Sequence, residues 1–250
     1  MTPMRDQASI LPLVVDGLTF DVDGKRLLDN LSFTLPRGGI TAIIGPNGAG
    51  KSLALRLCHG LIKPSMGSVT WASDKGAAQA RRHIGPKNHV MVFQHPVMLR
   101  RSALANVEHA LMAAGFNRND RQKQAANALA HFGLSGLAKQ PARLMSGGEQ
   151  QRLAIARAWA LSPEVVFLDE PCSQLDPGAT RQVEQMLHAL AQEGVTLLMA
   201  THDLGQARRL AGRIMFLNRG KLVENSPADA FFASPESAEG RAFLSGDLLW

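Results

Sequence analysis

A glycine-dense turn, Gly45-Pro-Asn-Gly-Ala-Gly-Lys51-Ser52, constrains this chain more than any other feature. The apolar run Ile40–Ile44 precedes it, and Leu53–Leu57, whose apolar residues have helical spacing, follows it. A strand, a glycine-rich loop and a helix in this order predict a loop that binds the phosphates of a nucleoside triphosphate.

The residue types of this loop match what a polyphosphate needs. Gly45, Gly48 and Gly50 can adopt backbone conformations closed to bulkier residues, so that successive N–H groups turn toward an anion. Lys51 is expected to reach the β- and γ-phosphates, and the Ser52 hydroxyl to bind Mg²⁺. Nucleotide contacts are therefore predicted for Gly45, Pro46, Asn47, Gly48, Ala49, Gly50, Lys51, Ser52 and Leu53.

Composition restricts the class of protein less tightly. The net charge of +6, from 27 basic and 21 acidic residues, would suit nucleic acid, an anionic membrane surface, a nucleotide or an ordinary charged surface. The two cysteines have no zinc or redox spacing. The start of the chain lacks the pattern of a secretory signal, and apolar runs such as Val195–Ala200 are far shorter than the ~20 residues that cross a bilayer. We expect a soluble, cytoplasmic protein.

Strand and helix patterns alternate along the chain. Short β-type runs around the turn Asp23-Gly24 predict an antiparallel layer over residues 13–35. Strands predicted at 165–168, 195–199 and 213–217, with a helix at 178–192, indicate a parallel sheet covered by helices. Between 102 and 161 the apolar residues follow helical spacing, which predicts an inserted helical subdomain. The polar segment 74–87 is predicted to be a surface loop or a short helix.

Two adjacent carboxylates follow a buried strand. Val165-Val-Phe-Leu-Asp169-Glu170 brings both acids to the sheet edge where ligands bind in α/β proteins. Successive residues leaving a strand point in different directions, so Asp169 can face Mg²⁺ while Glu170 faces the attacking water. The alternative is an acidic pair that merely ends a strand at a solvated turn.

A second motif is Leu144-Met-Ser146-Gly-Gly-Glu149-Gln-Gln-Arg152. Ser146 and Glu149 fit a helix capping box, which predicts a helix through Ala160, so a purely structural cap is one interpretation. Gly147 and Gly148 favour another, because two glycines disfavour a helix and leave backbone N–H groups open to an external anion. Together with the phosphate loop, this motif resembles the signature sequence of ATP-binding cassette (ABC) ATPases, over nearly the whole chain.

The resemblance implies a fold class and the boundaries of its parts along the chain. The expected class is α/β, a P-loop NTPase (RecA-like) with a parallel sheet core, an N-terminal antiparallel β layer and an inserted α-helical subdomain. Residues 13–250 would form a single ABC ATPase domain. Within it, 13–94 and 162–224 would form the core with its β layer, 95–161 the helical subdomain with the signature motif, and 225–250 a C-terminal helical tail.

The resemblance also implies roles for matching residues. ATP and Mg²⁺ are the expected cofactors. The phosphate loop resembles the Walker A element, and residues 173–176 resemble the D-loop. Implied catalytic residues are Glu170, His202, Lys51 and Gln94; implied further nucleotide contacts are Ser146, Gly147, Gly148, Glu149 and Asp176; implied magnesium ligands are Ser52, Gln94 and Asp169. In this family two chains pack head to tail, so that the signature motif of one closes over ATP on the other.

Some positions depart from the family pattern. The chain contains no tyrosine, and Val22 stands where an aromatic ring normally stacks on adenine, with Phe20 nearby as a substitute or a buried residue. Cys172 replaces a threonine that is common in the family, and Gln174 replaces a small residue. Neither of these two changes removes a catalytic group.

The resemblance predicts the ATP-hydrolysing subunit of an importer, peripheral on the cytoplasmic face of the inner membrane. Its expected partners are a second copy, separate transmembrane permease subunits and, indirectly, a solute-binding protein, with no nucleic acid. Segments 94–107 and 201–210 look most like tungstate importer ATPases, with phosphate and molybdate importers next. Alternatives are a soluble ABC protein acting on ribosomes or in DNA repair, or a nucleotide kinase, which would leave the Ser146 motif and His202 unexplained.

Overall fold

The computed structural model describes residues 9–72 and 88–246, and the predicted segment 74–87 falls outside them. The strands are β1 (Leu13–Val22), β2 (Lys25–Leu35), β3 (Ile40–Ile44), β4 (Met66–Trp71), β5 (His89–Val92), β6 (Val165–Asp169), β7 (Thr196–Ala200), β8 (Arg213–Asn218) and β9 (Lys221–Pro227). The α-helices are α1 (Lys51–His59), α2 (Ala103–Ala113), α3 (Arg118–His131), α4 (Gly147–Ala160), α5 (Pro177–Gln192), α6 (Leu204–Leu210), α7 (Ala228–Ala233) and α8 (Ala238–Ser245).

A six-stranded sheet in the order β5-β6-β7-β3-β8-β9 forms the centre, and it is parallel except for β9. All residues of β3, β6 and β7 are buried, as expected for strands covered on both faces. The register pairs Ala200 with Asp169 on one side and with Ile43 on the other. The carboxyl ends of β6, β7 and β3 therefore meet at one edge, and the phosphate loop begins there.

Alternate residues of the central strands enter two different cores. On β6, Phe167 faces the smaller core, which also contains residues of β1, β2 and α1. Its neighbour Leu168 faces the larger core, built from the helices α2 to α7. The period of two along a strand produces this division, because successive side chains leave opposite faces of a sheet.

The predicted antiparallel layer is confirmed. β1 and β2 pair through the turn at Asp23 and Gly24, which both have positive φ angles, of 49° and 76°. β4 pairs with the other side of β1 and completes a three-stranded sheet. This sheet and α1 share the smaller core with one face of the central sheet.

The helical spacing after β5 also folds as predicted. α2, α3 and α4 lie between β5 and β6, and Val107, Leu111, Ala125 and Leu129 are buried among them. The capping box of α4 is present, with Glu149 N–H donating to Ser146 Oγ over 3.3 Å and Ser146 N–H to Glu149 Oε2 over 2.8 Å. The domain limits proposed from the sequence remain a prediction.

The end of the chain differs from the sequence-based expectation. The pattern predicted no strand after 217, but β9 pairs antiparallel with β8 at the edge of the sheet. β9 runs to Pro227, so the predicted tail begins with strand residues, and its helices start only at Ala228. β9 shows no alternation of apolar residues because its buried positions hold Glu224 and Ser226.

Both cysteines, Cys58 and Cys172, are free thiols. Burial raises the pKa of each to about 12, which keeps them protonated and fits the prediction that they are packed residues. No helix within 9–72 and 88–246 has the length and apolar character needed to span a bilayer.

A buried carboxylate holds α8 against β9. Glu224 accepts hydrogen bonds from Ser237 Oγ at 2.7 Å, Ser237 N–H at 3.0 Å, Glu236 N–H at 3.2 Å and Ser226 Oγ at 3.1 Å. Burial alone would raise the pKa of Glu224, but these donors outweigh it and the pKa is lowered. Glu224 therefore stabilises the fold in its ionised form.

We expect Glu224→Gln to reduce the free energy of unfolding by about 1–3 kcal/mol at neutral pH, since it removes charge-assisted hydrogen bonds. A lowered folded-state pKa stabilises the protein above the ordinary value and loses that effect as pH falls through the folded value. The difference from wild type should therefore shrink on acidification. Urea unfolding at several pH values measures this difference in the free energy of unfolding. Glu236→Gln, which changes an exposed carboxylate, is the control. Equal stability of the two variants at neutral pH would contradict the stabilising role of Glu224.

Candidate functional site

The phosphate loop depends on two glycines at positions that leave little room for a side chain. Gly45 has a φ angle of 148°, and a Cβ there would lie 2.0 Å from the backbone oxygen of Leu217. Gly50 has a φ angle of 100°, and a Cβ would lie 2.5 Å from Leu28 Cδ2. Gly48 also has positive φ, 80°, but no atom lies within 4 Å of its Cβ position. The loop is thus wedged between β2 and the end of β8.

Lys51, the first residue of α1, folds back over this loop. Its Nζ donates to the backbone oxygens of Gly45 at 2.8 Å and Pro46 at 3.1 Å. Burial lowers the pKa of Lys51, and the nearby charges of Glu170 and Asp169 act in the opposite direction. A desolvated ammonium group at the mouth of the loop is a favourable partner for a phosphate oxygen.

Ser52 and Asp169, two of the predicted magnesium ligands, lie in direct contact. Ser52 Oγ donates to Asp169 Oδ1 over 2.6 Å, and Asp169 is only 2% exposed. A hydroxyl and a carboxylate are the hard oxygen donors that Mg²⁺ prefers, and Mg²⁺ commonly takes one or two protein ligands together with substrate phosphates. Residues 9–72 and 88–246 contain no cluster of three or more His, Cys, Asp or Glu suited to a metal.

Glu170 leaves β6 in a different direction from Asp169. Its φ angle is 49°, an uncommon conformation for a residue with a side chain, and its N–H donates to Ala200 O over 2.9 Å. The Glu170 Oε2 atom contacts Nδ1 of His202, which follows β7. Left-handed backbone at such a position is a form of strain that concentrates at functional sites. The two strands thus bring the predicted acid and the predicted histidine into direct contact.

Gln94 lies at the same edge of the sheet. β5 pairs in parallel with β6, with Val92 opposite Leu168, so Gln94 follows its strand close to the level where Glu170 follows Asp169. The side chain is half-buried, and it makes no hydrogen bond to the described residues. Its position suits the predicted role, which remains a prediction.

The signature motif is placed apart from these groups. Ser146 and Gly147 are exposed, and residues 146–149 form no hydrogen bond or ion pair with the phosphate loop in the described part of the chain. Packing also explains the glycine at position 148, because a Cβ there would lie 2.6 Å from Ala179 Cβ on α5. Asp176 caps α5, accepting from the N–H groups of Gly178 and Ala179 at 2.8 and 3.0 Å. One chain therefore presents these predicted nucleotide contacts on a free surface.

The position expected for adenine stacking carries no aromatic ring. Val22 ends β1 and is 40% exposed, whereas Phe20 is half-buried and packs against the smaller core. Part of the Phe20 ring is therefore buried in the smaller core. The exposed side chain at the end of β1 is the aliphatic Val22.

Sequence reasoning missed several groups that support the site. Arg56 Nη2 lies 3.6 Å from Asp169 Oδ2. In the sequence Arg56 looks like any arginine on the exposed side of a helix, so nothing there indicates this contact. Gly220, in the turn between β8 and β9, donates its N–H to Ala49 O over 3.1 Å. A Cβ on Gly220 would lie 2.5 Å from Leu27 O, so this glycine allows the turn to buttress the phosphate loop. Only its Asn-Arg-Gly turn sequence hints at this contact.

Comparison with known proteins gives concordant matches. A family model described as ABC transporter matches residues 28–173. The phosphate import ATP-binding protein PstB 2 of Natronomonas pharaonis is 35% identical over 254 residues, covering 95% of this chain and 88% of that protein. The L-cystine transport ATP-binding protein TcyN of Escherichia coli is 35% identical over 249 residues, covering 94% and 98%.

Two further matches bear on cargo and fold. The tungstate uptake ATP-binding protein TupC of Peptoclostridium acidaminophilum is 35% identical over 223 residues, covering 89% of this chain and 100% of that protein. The structure of CbiO1 from Clostridium perfringens, part of the transporter complex CbiONQ, superposes with a TM-score of 0.78 at 27% identity, covering 90% of this chain and 91% of that one. The predicted fold class is thereby confirmed.

The two glycines at the start and middle of the loop should respond differently to alanine. Gly45→Ala places a methyl group against a backbone oxygen, so we expect nucleotide affinity to fall by roughly tenfold or more. Gly48→Ala meets open space and costs about 1–2 kcal/mol of backbone strain, with a smaller loss of affinity. Titration with a fluorescent ATP analogue measures both, and equal affinities in the two variants would contradict the wedged geometry.

Proposed function

This chain belongs to the ABC transporter family and is an ATPase of the importer type, and we propose that it couples ATP binding and hydrolysis to solute uptake through separate membrane permease subunits. One observation carries the proposal for the site: Lys51, Ser52, Asp169, Glu170 and His202 converge on one sheet edge. That edge is where α/β proteins bind ligands.

Each residue of the proposed site has a task that its contacts support. Ser52 and Asp169 would hold Mg²⁺, which when bound neutralises charge on the phosphates, and Gln94, which follows β5 at the same sheet edge, would join them. Lys51 would turn from the loop carbonyls to the β- and γ-phosphates. Glu170 would accept a hydrogen bond from the attacking water and orient it, and His202, in contact with Glu170, would donate toward the γ-phosphate.

We propose that two copies associate head to tail and complete each site. ATP carries about four negative charges, and enclosing them away from water requires many donors. The N–H groups at the exposed start of α4, at Ser146 and Gly147, are such donors, and they face no acceptor within residues 9–72 and 88–246 beyond the cap. Asp176 lies at the start of the adjacent α5 and would sit at the same dimer contact.

A surface beside Gln94 suits the permease. A cavity of about 670 Å³ lies between β5, α2 and α4, and its lining is mainly apolar. Two of its lining residues, Phe93 and Val97, are 39% and 72% exposed, so the cavity is continuous with apolar surface. We propose that a cytoplasmic segment of the permease enters this cavity, so that movement of Gln94 reaches the membrane subunit. The ATPase would then be peripheral at the cytoplasmic face, and a solute-binding protein would act through the permease.

The transported solute is proposed on sequence resemblance alone. Relatives at the same 35% identity serve phosphate, L-cystine and tungstate uptake, so overall similarity does not select among them. Segments 94–107 and 201–210 favour an oxyanion, tungstate first, with phosphate and molybdate as alternatives. The solute crosses through other subunits, so uptake of radiolabelled or colorimetrically detected oxyanions by cells with and without this chain is the direct test; L-cystine uptake alone would contradict the oxyanion proposal.

Removing the proposed catalytic carboxylate should trap the nucleotide. We expect Glu170→Gln with saturating ATP and Mg²⁺ to elute from a sizing column as a dimer, because the water is no longer oriented while the phosphate contacts remain. Glu239→Gln changes an exposed carboxylate on α8 and is the control, which should elute as wild type does. A Glu170→Gln protein that stays monomeric at saturating ATP would count against the composite site.

A charge in the apolar cavity should separate transport from ATP binding. We expect Val97→Glu to abolish co-purification with the permease and its stimulation of ATPase activity, because a carboxylate would be desolvated in the contact. Binding of a fluorescent ATP analogue should be retained. Leu61→Glu changes a 50% exposed leucine outside the cavity and serves as the control.

A separate experiment distinguishes a transporter subunit from a non-transport ABC protein. Pelleting of the wild-type chain with ribosomes instead of membranes would favour the non-transport protein.

A further inference from the structure

A second, smaller cavity lies between α2 and α3, away from the nucleotide site. Its volume is about 220 Å³. Arg101 precedes α2, and residues 105, 108, 109 and 112 follow on one face of that helix. Across from them stand Arg118, Arg121 and Gln122 on the first turns of α3. The helical spacing on both sides places these polar groups around one space.

The charge of this lining is unbalanced. Three arginines and one carboxylate, Glu108, leave two net positive charges. Within residues 9–72 and 88–246 no ion pair or side-chain hydrogen bond joins Arg101, Arg118 or Arg121 to any other group. By contrast, other arginines such as Arg26 and Arg209 are paired with carboxylates.

One further feature disfavours this arrangement without a ligand. Arg118 and Arg121 stand at the start of α3, where the helix dipole repels positive charge and favours an anion. His109 also lines the cavity, but its Nδ1 atom is fully buried and lies out of reach of a ligand there.

We propose that this cavity binds a phosphoryl group, either as inorganic phosphate or as the headgroup phosphate of a lipid. Inorganic phosphate carries about one and a half to two negative charges near neutral pH, which matches the charge of the lining, whereas the phosphodiester of a lipid headgroup carries about one and neutralises only part of it. Planar guanidinium groups pair with its oxygens through two parallel hydrogen bonds. The volume is below the roughly 300–1,000 Å³ of pockets that hold drug-sized ligands, so a headgroup-sized anion fits and a whole nucleotide does not.

Occupation of this cavity would affect the neighbouring docking surface. The opposite side of α2, with Ala110 and with Ala114 just after the end of the helix, lines the apolar cavity beside Gln94. A ligand held jointly by α2 and α3 would fix the position of α2 relative to that cavity. The binding proposal itself does not depend on the transport function, since it rests only on the α2–α3 lining.

The test uses the full chain saturated with Mg²⁺ and a non-hydrolysable ATP analogue, so that the phosphate loop is filled. Inorganic phosphate is titrated at constant ionic strength while the arginine Nε–Hε and His109 imidazole signals are followed by ¹⁵N NMR. We expect saturable shifts of the cavity signals. Arg121→Gln should weaken phosphate binding by roughly tenfold or more, because it removes a charge-assisted hydrogen bond.

Lys123→Gln is the matched control, because it removes one charge from an exposed position of the same helix that does not line the cavity. It should change phosphate binding by less than about twofold, since exposed charges are screened. Arg118→Gln, at an exposed position, repeats the test should Arg121→Gln lower the melting temperature.

A parallel sedimentation assay with phosphatidylglycerol and phosphatidylcholine vesicles separates the two sources. Binding of free phosphate that Arg121→Gln weakens supports a soluble anion. Vesicle binding that depends on Arg121 but not on Lys123, without free phosphate binding, supports a lipid headgroup. Absence of both, or equal losses in Arg121→Gln and Lys123→Gln, would overturn the proposal.

Discussion

The register of three buried parallel strands determines everything that this molecule can do with a nucleotide. Ile43, Asp169 and Ala200 stand side by side at the carboxyl ends of β3, β6 and β7. The residues that leave these ends are the phosphate loop, Glu170 and His202. A one-residue slip of β6 would turn Asp169 away from Ser52 and into the wrong core. The apolar side chains that fix the register are therefore as important to the site as its polar groups.

Electrostatics explains why the nucleotide completes this edge. Lys51 is buried and at present satisfied by loop carbonyls, and the carboxylates near it offset only part of the cost of its burial. A triphosphate would supply the missing negative charge, while the carboxylate of Asp169 would need a cation to tolerate the same phosphates. The site is thus arranged so that nucleotide and metal favour each other. The exposed signature motif extends this reasoning to a second copy.

The sequence predicted the elements whose signals are local and strong. The phosphate loop, the buried strands, the capping box of Ser146 and the antiparallel hairpin each depend on neighbouring residues, and each is found as predicted. β9 was missed because its buried positions hold the polar residues Glu224 and Ser226, which give no apolar alternation. Arg56 and Gly220 were missed because they act on Asp169 and Ala49 through contacts between distant segments. The basic cavity between α2 and α3 was missed for the same reason, since its lining comes from separate stretches of the sequence.

The account depends on a phosphate gripped from two sides by two copies of the chain. The most direct measurement is a structure of the assembled transporter with Mg²⁺ and a non-hydrolysable ATP analogue. It should place Ser146 Oγ and the Gly148 N–H of one copy within about 3 Å of γ-phosphate oxygens bound by Lys51 of the other. A closed assembly in which Ser146 faces solvent, far from any triphosphate, would contradict the account.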